Sequence, residues 1–283
     1  MDPFLLALAA AGTVGVVWLL SRLGRQWLGR RARGEAQLPI PPGWLAVVRD
    51  RLPSIAALPP VEQTELLHHA RGLLTIFAWE GCGGLRLTEE MRLIIAAQAA
   101  LLTWKRTEVP FPRLKTILVY PSTFRPAAGF QWVAVPDQQE EPPELGQSLA
   151  SGTIVLAWDD VLRAAAAPHD GHNVVLHEFA HQLDSADGLA DGVPTLPPAI
   201  TPDSWEHALR HAYQQLARAT DSGASSPIDR YGLTNRAEFF AVATESFFER
   251  PGDMRKAYPE LYQRLAQFYL QDPAHLGDRR PGR

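Results

Sequence analysis

Apolar residues recur at helical spacing along much of the chain, and short apolar runs interrupt these stretches. Residues three or four apart share one face of a helix, so the spacing predicts amphipathic helices. Runs of β-branched and apolar residues between turn residues predict strands. The predicted helices cover residues 61–79, 88–106, 204–219 and 258–270, and the predicted strands cover 117–120 and 152–158. Helices around a small sheet indicate an α+β fold.

A further helix is predicted around the sequence His177-Glu178-Phe179-Ala180-His181. Its apolar face is predicted at positions 175, 176, 179, 180 and 183. His177 and His181 are four residues apart, so both imidazoles can reach one metal ion. Glu178 projects at a neighbouring angle, where it can hold a water beside the metal. The motif indicates zinc-dependent hydrolysis, although a solvated His/Glu/His face on an ordinary helix gives the same pattern.

A zinc site with two histidines needs a third protein ligand. In the segment 231–245, Glu238 stands near the start of a strongly apolar helix. Glu238 could bind the metal, or it could be the capping-box partner of Asn235, which can cap the free backbone N–H groups there. Glu245 follows near the same face of this helix. It is either an exposed or salt-bridged helix residue or a support for a histidine ligand.

Asp187 is the rival third ligand, because another class of zinc peptidases places that ligand six residues after the second histidine. That class needs a glycine midway to turn the chain, and this sequence has Asp184 there. The departure favours a ligand from the downstream segment. A second His pair, His207 and His211, has the same spacing, but no third ligand suggests itself and a polar helix face is the favoured interpretation.

Three segments together resemble the Mlc titration factor A family of bacterial zinc peptidases. They are HEFAHQLD at 177–184, YGLTNRAEFFAVATE at 231–245 and FYLQDP at 268–273. The catalytic region is also similar to that of anthrax lethal factor, in which a tyrosine precedes a glutamate followed by two phenylalanines. The resemblance runs over roughly residues 40 to 275. It implies a zincin-like fold of the gluzincin type, mostly helical with a small sheet.

The resemblance also implies roles for five residues. His177, His181 and Glu238 would bind Zn²⁺, Glu178 would be the general base, and Tyr231 would donate a hydrogen bond to the transition state. The implied activity is hydrolysis of a peptide or protein substrate, with an aminopeptidase as one form of it. The implied alternative is a regulatory binding protein that sequesters an Mlc-like transcriptional repressor, with catalysis secondary.

The N-terminus carries an uncharged apolar run from Phe4 to Leu20, close to the length that a bilayer requires. Arginines follow it at positions 22, 25, 30, 31 and 33. Because positive flanks face the cytoplasm, the run predicts a single-pass anchor in the inner (cytoplasmic) membrane with the catalytic domain in the cytoplasm. The alternative is an amphipathic or core helix in a cytoplasmic protein, since the run is short and contains Gly12 and Gly15. The family pattern is soluble, so an anchor would depart from it.

Composition fits one domain behind this segment. The predicted division is a membrane anchor with a basic segment at 1–36, a proline-rich linker at 37–43, a zinc metallopeptidase domain at 44–275 and a basic tail at 276–283. Cys82 is the only cysteine, so no intramolecular disulfide can form. The net charge is -4, whereas domains that bind nucleic acids usually carry an excess of positive charge, so no nucleic-acid partner is expected. The strand at 152–158 could edge a substrate cleft or be an ordinary core strand.

Overall fold

The computed structural model describes residues 34, 37–107, 111–124, 133–134 and 152–278. The predicted membrane anchor, Phe4 to Leu20, lies outside these residues, as does the end of the predicted basic tail. Within the described ranges, no helix has both the length and the apolar character that crossing a membrane requires. The predicted domain boundaries therefore stay predictions.

Helices dominate the described part of the chain. The helices are α1 (Trp44–Arg51), α2 (Pro53–Ala56), α3 (Pro60–Ile76), α4 (Glu89–Leu101), α5 (Trp158–Ala166), α6 (Val174–Asp184), α7 (Pro202–Ser222), α8 (Arg236–Glu249), α9 (Pro251–Ala257), α10 (Pro259–Tyr269) and α11 (Pro273–Asp278). Two short 3-10 helices are η1 (Ser185–Asp187) and η2 (Arg230–Leu233). The strands are β1 (Ala78–Gly81), β2 (Thr116–Tyr120), β3 (Thr123–Phe124), β4 (Val133–Ala134) and β5 (Thr153–Ala157). Helices with a small sheet fit the predicted metallopeptidase domain.

Three parallel strands form the sheet on which the helices pack, in the order β1-β2-β5. Ile117 of β2 pairs with Ile154 of β5, and both side chains are buried. Burial alternates along the two strands because successive side chains point to opposite faces. The two predicted strands are confirmed, and β5 lies at the edge of this sheet among the described residues.

Strand β1 and helix α5 correct the sequence prediction. The helix predicted over 61–79 ends at Ile76, because Phe77 adopts an extended conformation and Ala78–Gly81 pair in parallel with β2. This pairing joins residues far apart in sequence, so a local pattern does not encode it. Helix α5 follows β5 directly and buries Asp160, Val161, Ala164 and Ala165. The predicted strand at 152–158 therefore ends one residue earlier than expected.

Helices α6 and α8 pack against each other and carry the candidate site. The predicted apolar face of α6 is confirmed, since Val175, Leu176, Phe179, Ala180 and Leu183 are all buried. A cluster of buried aromatic rings packs α8 against α7 and α10. Phe240 of α8 lies with its ring centroid 5.9 Å from that of Trp205 in α7 and 6.0 Å from that of Phe268 in α10. Such aromatic contacts in a close-packed core leave little freedom to the backbone that holds the site.

Candidate metal centre

The helix that carries the HExxH motif begins at a side-chain cap. The side chain of Asn173 accepts a hydrogen bond from the backbone N–H of Leu176 at 3.1 Å, which satisfies one of the free donors at the start of α6. Helix α8 begins in the same way, because Asn235 accepts from the backbone N–H of Glu238 at 2.9 Å. The predicted capping role of Asn235 is confirmed. Both helices thus begin at fixed points close to their metal-binding candidates.

Three of the predicted site residues converge on one point between α6 and α8. His177, His181 and Glu238 each offer one ligand atom, and these atoms lie within 4.8 Å of one another. The Nε2 atoms of His177 and His181 are 3.2 Å apart. Oε2 of Glu238 lies 3.1 Å from the first and 3.4 Å from the second. Glu238 is therefore more than the capping residue that its position at the start of α8 allows.

The three ligand atoms suit a bound metal ion better than hydrogen bonds among themselves. Oε2 of Glu238 is buried and makes no hydrogen bond among the described residues, although the two Nε2 atoms lie near it. A buried polar atom without a partner is costly in a folded protein. Two imidazole nitrogens and one carboxylate oxygen are the donor set that Zn²⁺ takes in hydrolytic sites. The donor set and the unpartnered carboxylate oxygen together fit a divalent cation at this point.

Charge coupling within the group is strong. Burial raises the pKa of Glu238, but the close imidazoles of His177 and His181 outweigh burial and bring the pKa down to about 2. Burial lowers the pKa of His177, but its contacts with Glu238 and Glu245 outweigh that effect and raise the pKa well above its ordinary value. The group therefore attracts positive charge strongly, whether that charge is a proton or a metal ion.

Glu178 lies beside this group on α6. Burial raises the pKa of its carboxyl, while the nearby His177 and His181 act to lower it. A raised pKa makes a carboxylate a better proton acceptor once it is ionised. The proton-transfer role that the sequence resemblance implies for Glu178 stays a prediction.

Glu245 supports His177 from the side opposite the metal-binding candidates. Its Oε1 lies 2.8 Å from Nδ1 of His177, and its Oε2 accepts a hydrogen bond from the backbone N–H of Asn173 at 2.5 Å. An acceptor at Nδ1 fixes the tautomer that leaves Nε2 free for a metal. Of the interpretations of Glu245, the structure excludes an exposed residue, because Glu245 is only 5% exposed, and the partner of its carboxylate is a histidine.

A second buried glutamate, Glu249, lies one helical turn beyond Glu245 and is not apparent from the sequence motifs. Its Oε1 accepts from the side-chain amide of Asn173 at 3.0 Å, and its Oε2 accepts from the backbone N–H of His169 at 2.7 Å. The same amide of Asn173 donates to Gln98 of α4 at 3.0 Å. Asn173 therefore joins α4, α6 and α8. The sequence signal that was available is the spacing of Glu245 and Glu249, four residues apart on one helix.

Tyr231 approaches the site from η2. Its ring centroid lies 6.2 Å from that of His177, and its backbone N–H donates to Oδ1 of Asp229 at 2.6 Å. Gly232 permits this approach, because a Cβ there would lie 2.7 Å from the side chain of Val242 on α8. The backbone of η2 is thus held against α8, with Tyr231 at the edge of the metal-binding group.

A cavity of about 710 Å³ opens beside the metal-binding group. His177, Glu178, Tyr231 and Glu245 line one part of it. The rest is lined by residues of α5 and of the segment that leads into α6, and by Asp229, Arg230 and Val242. Its size is within the range of about 300–1,000 Å³ that small-molecule sites span. The lining includes no residue of β5, so the cavity is edged by α5 rather than by the strand.

Two other metal-ligand candidates from the sequence lie elsewhere. Asp187 is in η1, where its Oδ1 accepts a hydrogen bond from the backbone N–H of Leu189 at 2.9 Å. It is not part of the group formed by His177, His181 and Glu238. His207 and His211 lie on an exposed face of α7, with side chains 71% and 56% exposed. The predicted polar helix face at these two residues is confirmed.

The comparison with known proteins assigns the family. Residues 25–270 match the family described as glucose-regulated metallo-peptidase M90. The chain belongs to this family. The assignment makes it a metallopeptidase-type protein, and it confirms the resemblance to the Mlc titration factor A family. In the described part of the chain, the group His177, His181 and Glu238 could hold the metal that such a protein requires.

Individual relatives of the metallopeptidase family cover nearly the whole chain. A protein of Synechocystis sp. whose name is given only as an uncharacterized protein is 38% identical over 252 residues, which are 87% of this chain and 90% of that protein. Mlc titration factor A of Yersinia pestis is 34% identical over 256 residues, which are 88% of this chain and 90% of that protein. Mlc titration factor A of Yersinia pseudotuberculosis matches to the same extent.

Proposed function

We propose that this protein is a zinc-dependent peptidase whose metal is held by His177, His181 and Glu238. The single observation that carries the proposal is the convergence of Nε2 of His177, Nε2 of His181 and Oε2 of Glu238 within 4.8 Å. Zinc in such a site polarises a carbonyl and lowers the pKa of water to about 7. Three protein ligands leave one coordination position for that chemistry.

Residues around the metal carry out proton transfer, stabilise the transition state and position a metal ligand. Glu178 takes the proton from the attacking water on its carboxylate and passes it to the leaving amine. The hydroxyl of Tyr231 donates a hydrogen bond to the oxygen that becomes negative when the peptide carbonyl is attacked. Glu245 holds the ring of His177 in one orientation through Nδ1. The cavity beside these residues receives the peptide, and an aminopeptidase is the form of activity that we propose for it.

The decisive experiment compares the zinc-loaded wild type with Glu178→Gln in cleavage of a mixed peptide library. We expect cleavage by the wild type alone, with one zinc bound per chain in both proteins, because the substitution removes the base and leaves the ligands. The positions of the cuts distinguish trimming from the amino end from internal cleavage. Equal cleavage by both proteins would rule out Glu178 as the base.

A second candidate function is sequestration of a transcriptional repressor. The observation that favours it is the similarity to Mlc titration factor A of Yersinia over 88% of this chain. Binding without catalysis predicts that capture of an Mlc-like repressor survives Glu178→Gln, whereas a phenotype that depends on proteolysis is lost with this change. Pull-down of a purified repressor by both proteins separates the two functions.

We further propose that the segment from Phe4 to Leu20 anchors the protein in the cytoplasmic membrane, with the catalytic domain in the cytoplasm. The support is the uncharged apolar sequence followed by five arginines. Fractionation of cells that express the full chain tests it, with a chain beginning at Gln37 as the control. Recovery of both proteins in the soluble fraction would contradict the anchor and favour a cytoplasmic protein.

A further inference from the structure

The lining of the cavity beside the metal-binding group includes a buried carboxylate that the proposed chemistry does not use. Asp160 of α5 lines this cavity and is only 7% exposed. Its Oδ2 is buried without a hydrogen-bond partner among the described residues. Its Oδ1 contacts the guanidinium of Arg163, one turn further along the helix. A carboxylate that is shielded from water needs several partners, and the side chain of Asp160 has one among the described residues.

The one partner that Asp160 has among the described residues is a half-exposed arginine. The side chain of Arg163 is 55% exposed, whereas that of Asp160 is 7% exposed, so water screens this ion pair from the side of Arg163 only. Because a buried carboxylate without a partner is costly, Arg163 leaves Oδ1 of Asp160 only when another cation takes its place. A compact cationic nitrogen that entered the cavity would then replace an exposed guanidinium with a more enclosed charge-assisted hydrogen bond.

The other carboxylates of the cavity are otherwise engaged, and Arg230 adds a second cation to its lining. Glu178 and Glu245 belong to the metal centre. Oδ1 of Asp170 accepts from the backbone N–H of His172 at 2.8 Å, and Oδ1 of Asp229 accepts from that of Tyr231 at 2.6 Å. Asp170 is exposed, and the side chain of Asp229 is 35% exposed. Asp160 is thus the most buried of the three aspartates that line the cavity.

We propose that Asp160 makes the cavity selective for substrates that bring a cationic nitrogen into it. Two sources share this chemistry: the free α-ammonium group of the first residue of a peptide, and the side chain of a lysine or arginine. The inference rests on the proposed peptidase function and names its substrate class. An α-ammonium at Asp160 makes the enzyme trim from the amino end, whereas a basic side chain there directs cleavage within a chain.

Binding measurements test this subsite without depending on turnover. The full-length, zinc-loaded protein carrying Glu178→Gln is titrated with two pairs of amidated tripeptides. One pair differs only in a free or an acetylated amino end, with neutral side chains. The other pair is acetylated and differs only in lysine or norleucine at one position. We expect the cationic member of at least one pair to bind about tenfold more tightly, as one charge-assisted hydrogen bond provides.

Substitutions at the pair Asp160 and Arg163 should act in opposite directions. Asp160→Asn should abolish the preference and leave the affinity for the neutral peptides unchanged. Arg163→Gln should increase the preference about two- to fivefold, because it removes an exposed competing cation. Asp159→Asn is the matched control, since it makes the same charge change at the neighbouring position, which is not part of the cavity lining. It should leave the preference as it is.

The opposite effects of Asp160→Asn and Arg163→Gln distinguish a substrate subsite from an ion pair that only stabilises the helix. If Asp160 and Arg163 only stabilised α5, neither change would alter the preference for cationic peptides. Equal affinities within both peptide pairs, or a preference that persists in Asp160→Asn, would overturn the proposal. The Arg163→Gln result decides the matter if Asp160→Asn does not fold. Wild-type protein that cleaves no peptide, but keeps the preference dependent on Asp160, would overturn the peptidase function and leave the subsite standing.

Discussion

Glu245 holds the imidazole of His177 through Nδ1 at 2.8 Å, although 68 residues separate the two in the chain. The contact is largely shielded from water, and the second oxygen of Glu245 accepts from the backbone N–H of Asn173 at the start of α6. The carboxylate therefore fixes both the ring and the helix that carries it. Because Glu238 lies two turns earlier on the same helix as Glu245, α8 supplies one metal-binding candidate and orients another.

Glu245→Gln should weaken zinc binding about 10- to 100-fold, the usual effect of removing the acceptor behind a metal-binding histidine. The glutamine amide is similar in size to the carboxylate, so the fold should persist. The amide oxygen, however, accepts from the ring of His177 without a full negative charge. Competition with a fluorescent chelator measures the affinity. Glu249→Gln is the control, because Glu249 is equally buried and does not contact His177. Equal losses in both variants would mean that Glu245 acts only through general stability.

The pH dependence of zinc binding should follow the raised pKa of His177. A metal binds the neutral imidazole, so affinity is present above this pKa and is lost as the pH falls through it. Since the pKa is raised, the loss should begin above pH 6.5, the ordinary value. In Glu245→Gln one contact that raises the pKa is weakened, so the decline should move to lower pH. Chelator competition at a series of pH values tests the direction of this shift.

Glu238→Ala should abolish tight zinc binding, and Asp187→Ala should leave it unchanged. Glu238 contributes the unpartnered oxygen at the centre of the group, whereas Asp187 caps a turn after α6. Metal content after dialysis, measured with the folded state checked by circular dichroism, gives the answer. Retention of zinc in Glu238→Ala together with its loss in Asp187→Ala would reverse the assignment of the third ligand.

Local sequence patterns predict those residues of the site that lie on one helix. The spacing of His177 and His181 and the apolar face of α6 follow from helical periodicity alone. The cap at Asn235 follows from its residue type just before an apolar helix. By contrast, local patterns allow Glu238 to be either a capping residue or a metal ligand, and only the family resemblance favours the ligand. Its distance from the histidines depends on how α6 and α8 pack.

The parts that sequence reasoning missed join segments that are distant along the chain. Gln98 and Asn173 are 75 residues apart, and their contact exists only once α4 and α6 are in place. Glu249 has the residue type of an ordinary solvent-exposed helix position, and burial between His169 and Asn173 is a tertiary effect. Asp160 was missed because α5 follows β5 directly, without a turn that would mark the boundary.

Tyr231→Phe should lower kcat about a hundredfold, with KM and zinc affinity nearly unchanged, because it removes a hydrogen-bond donor needed only in the transition state. Tyr213→Phe is a matched control. The hydroxyl of Tyr213 donates to the backbone oxygen of Leu233 in the same segment at 2.9 Å, but Tyr213 does not line the cavity. This control should lower stability by about 1 kcal/mol and leave kcat nearly as it is. Similar kcat values in all three proteins would remove Tyr231 from the mechanism.

Gly192→Ala should destabilise the fold and weaken zinc binding together, because Gly192 fits against the first residue of α8. Its φ is +77°, and a Cβ would lie 2.6 Å from the backbone oxygen of Arg236. Gly192 also donates its N–H to Oδ2 of the buried Asp184 at 3.0 Å. Backbone strain and the clash together should lower the free energy of unfolding by about 3 kcal/mol.

Gly223→Ala separates backbone strain from the clash at Gly192. Gly223 ends α7 with a φ of +69°, but a Cβ there meets nothing within 4 Å. Its substitution should lower the free energy of unfolding by only about 1 kcal/mol, the cost of a left-handed conformation for a residue with a side chain. Zinc affinity should be unchanged, since the end of α7 does not contact the start of α8 that carries Glu238. Chemical denaturation and chelator competition on both variants test this pair, and equal losses at the two glycines would show that the contact with Arg236 does not hold the metal centre in place.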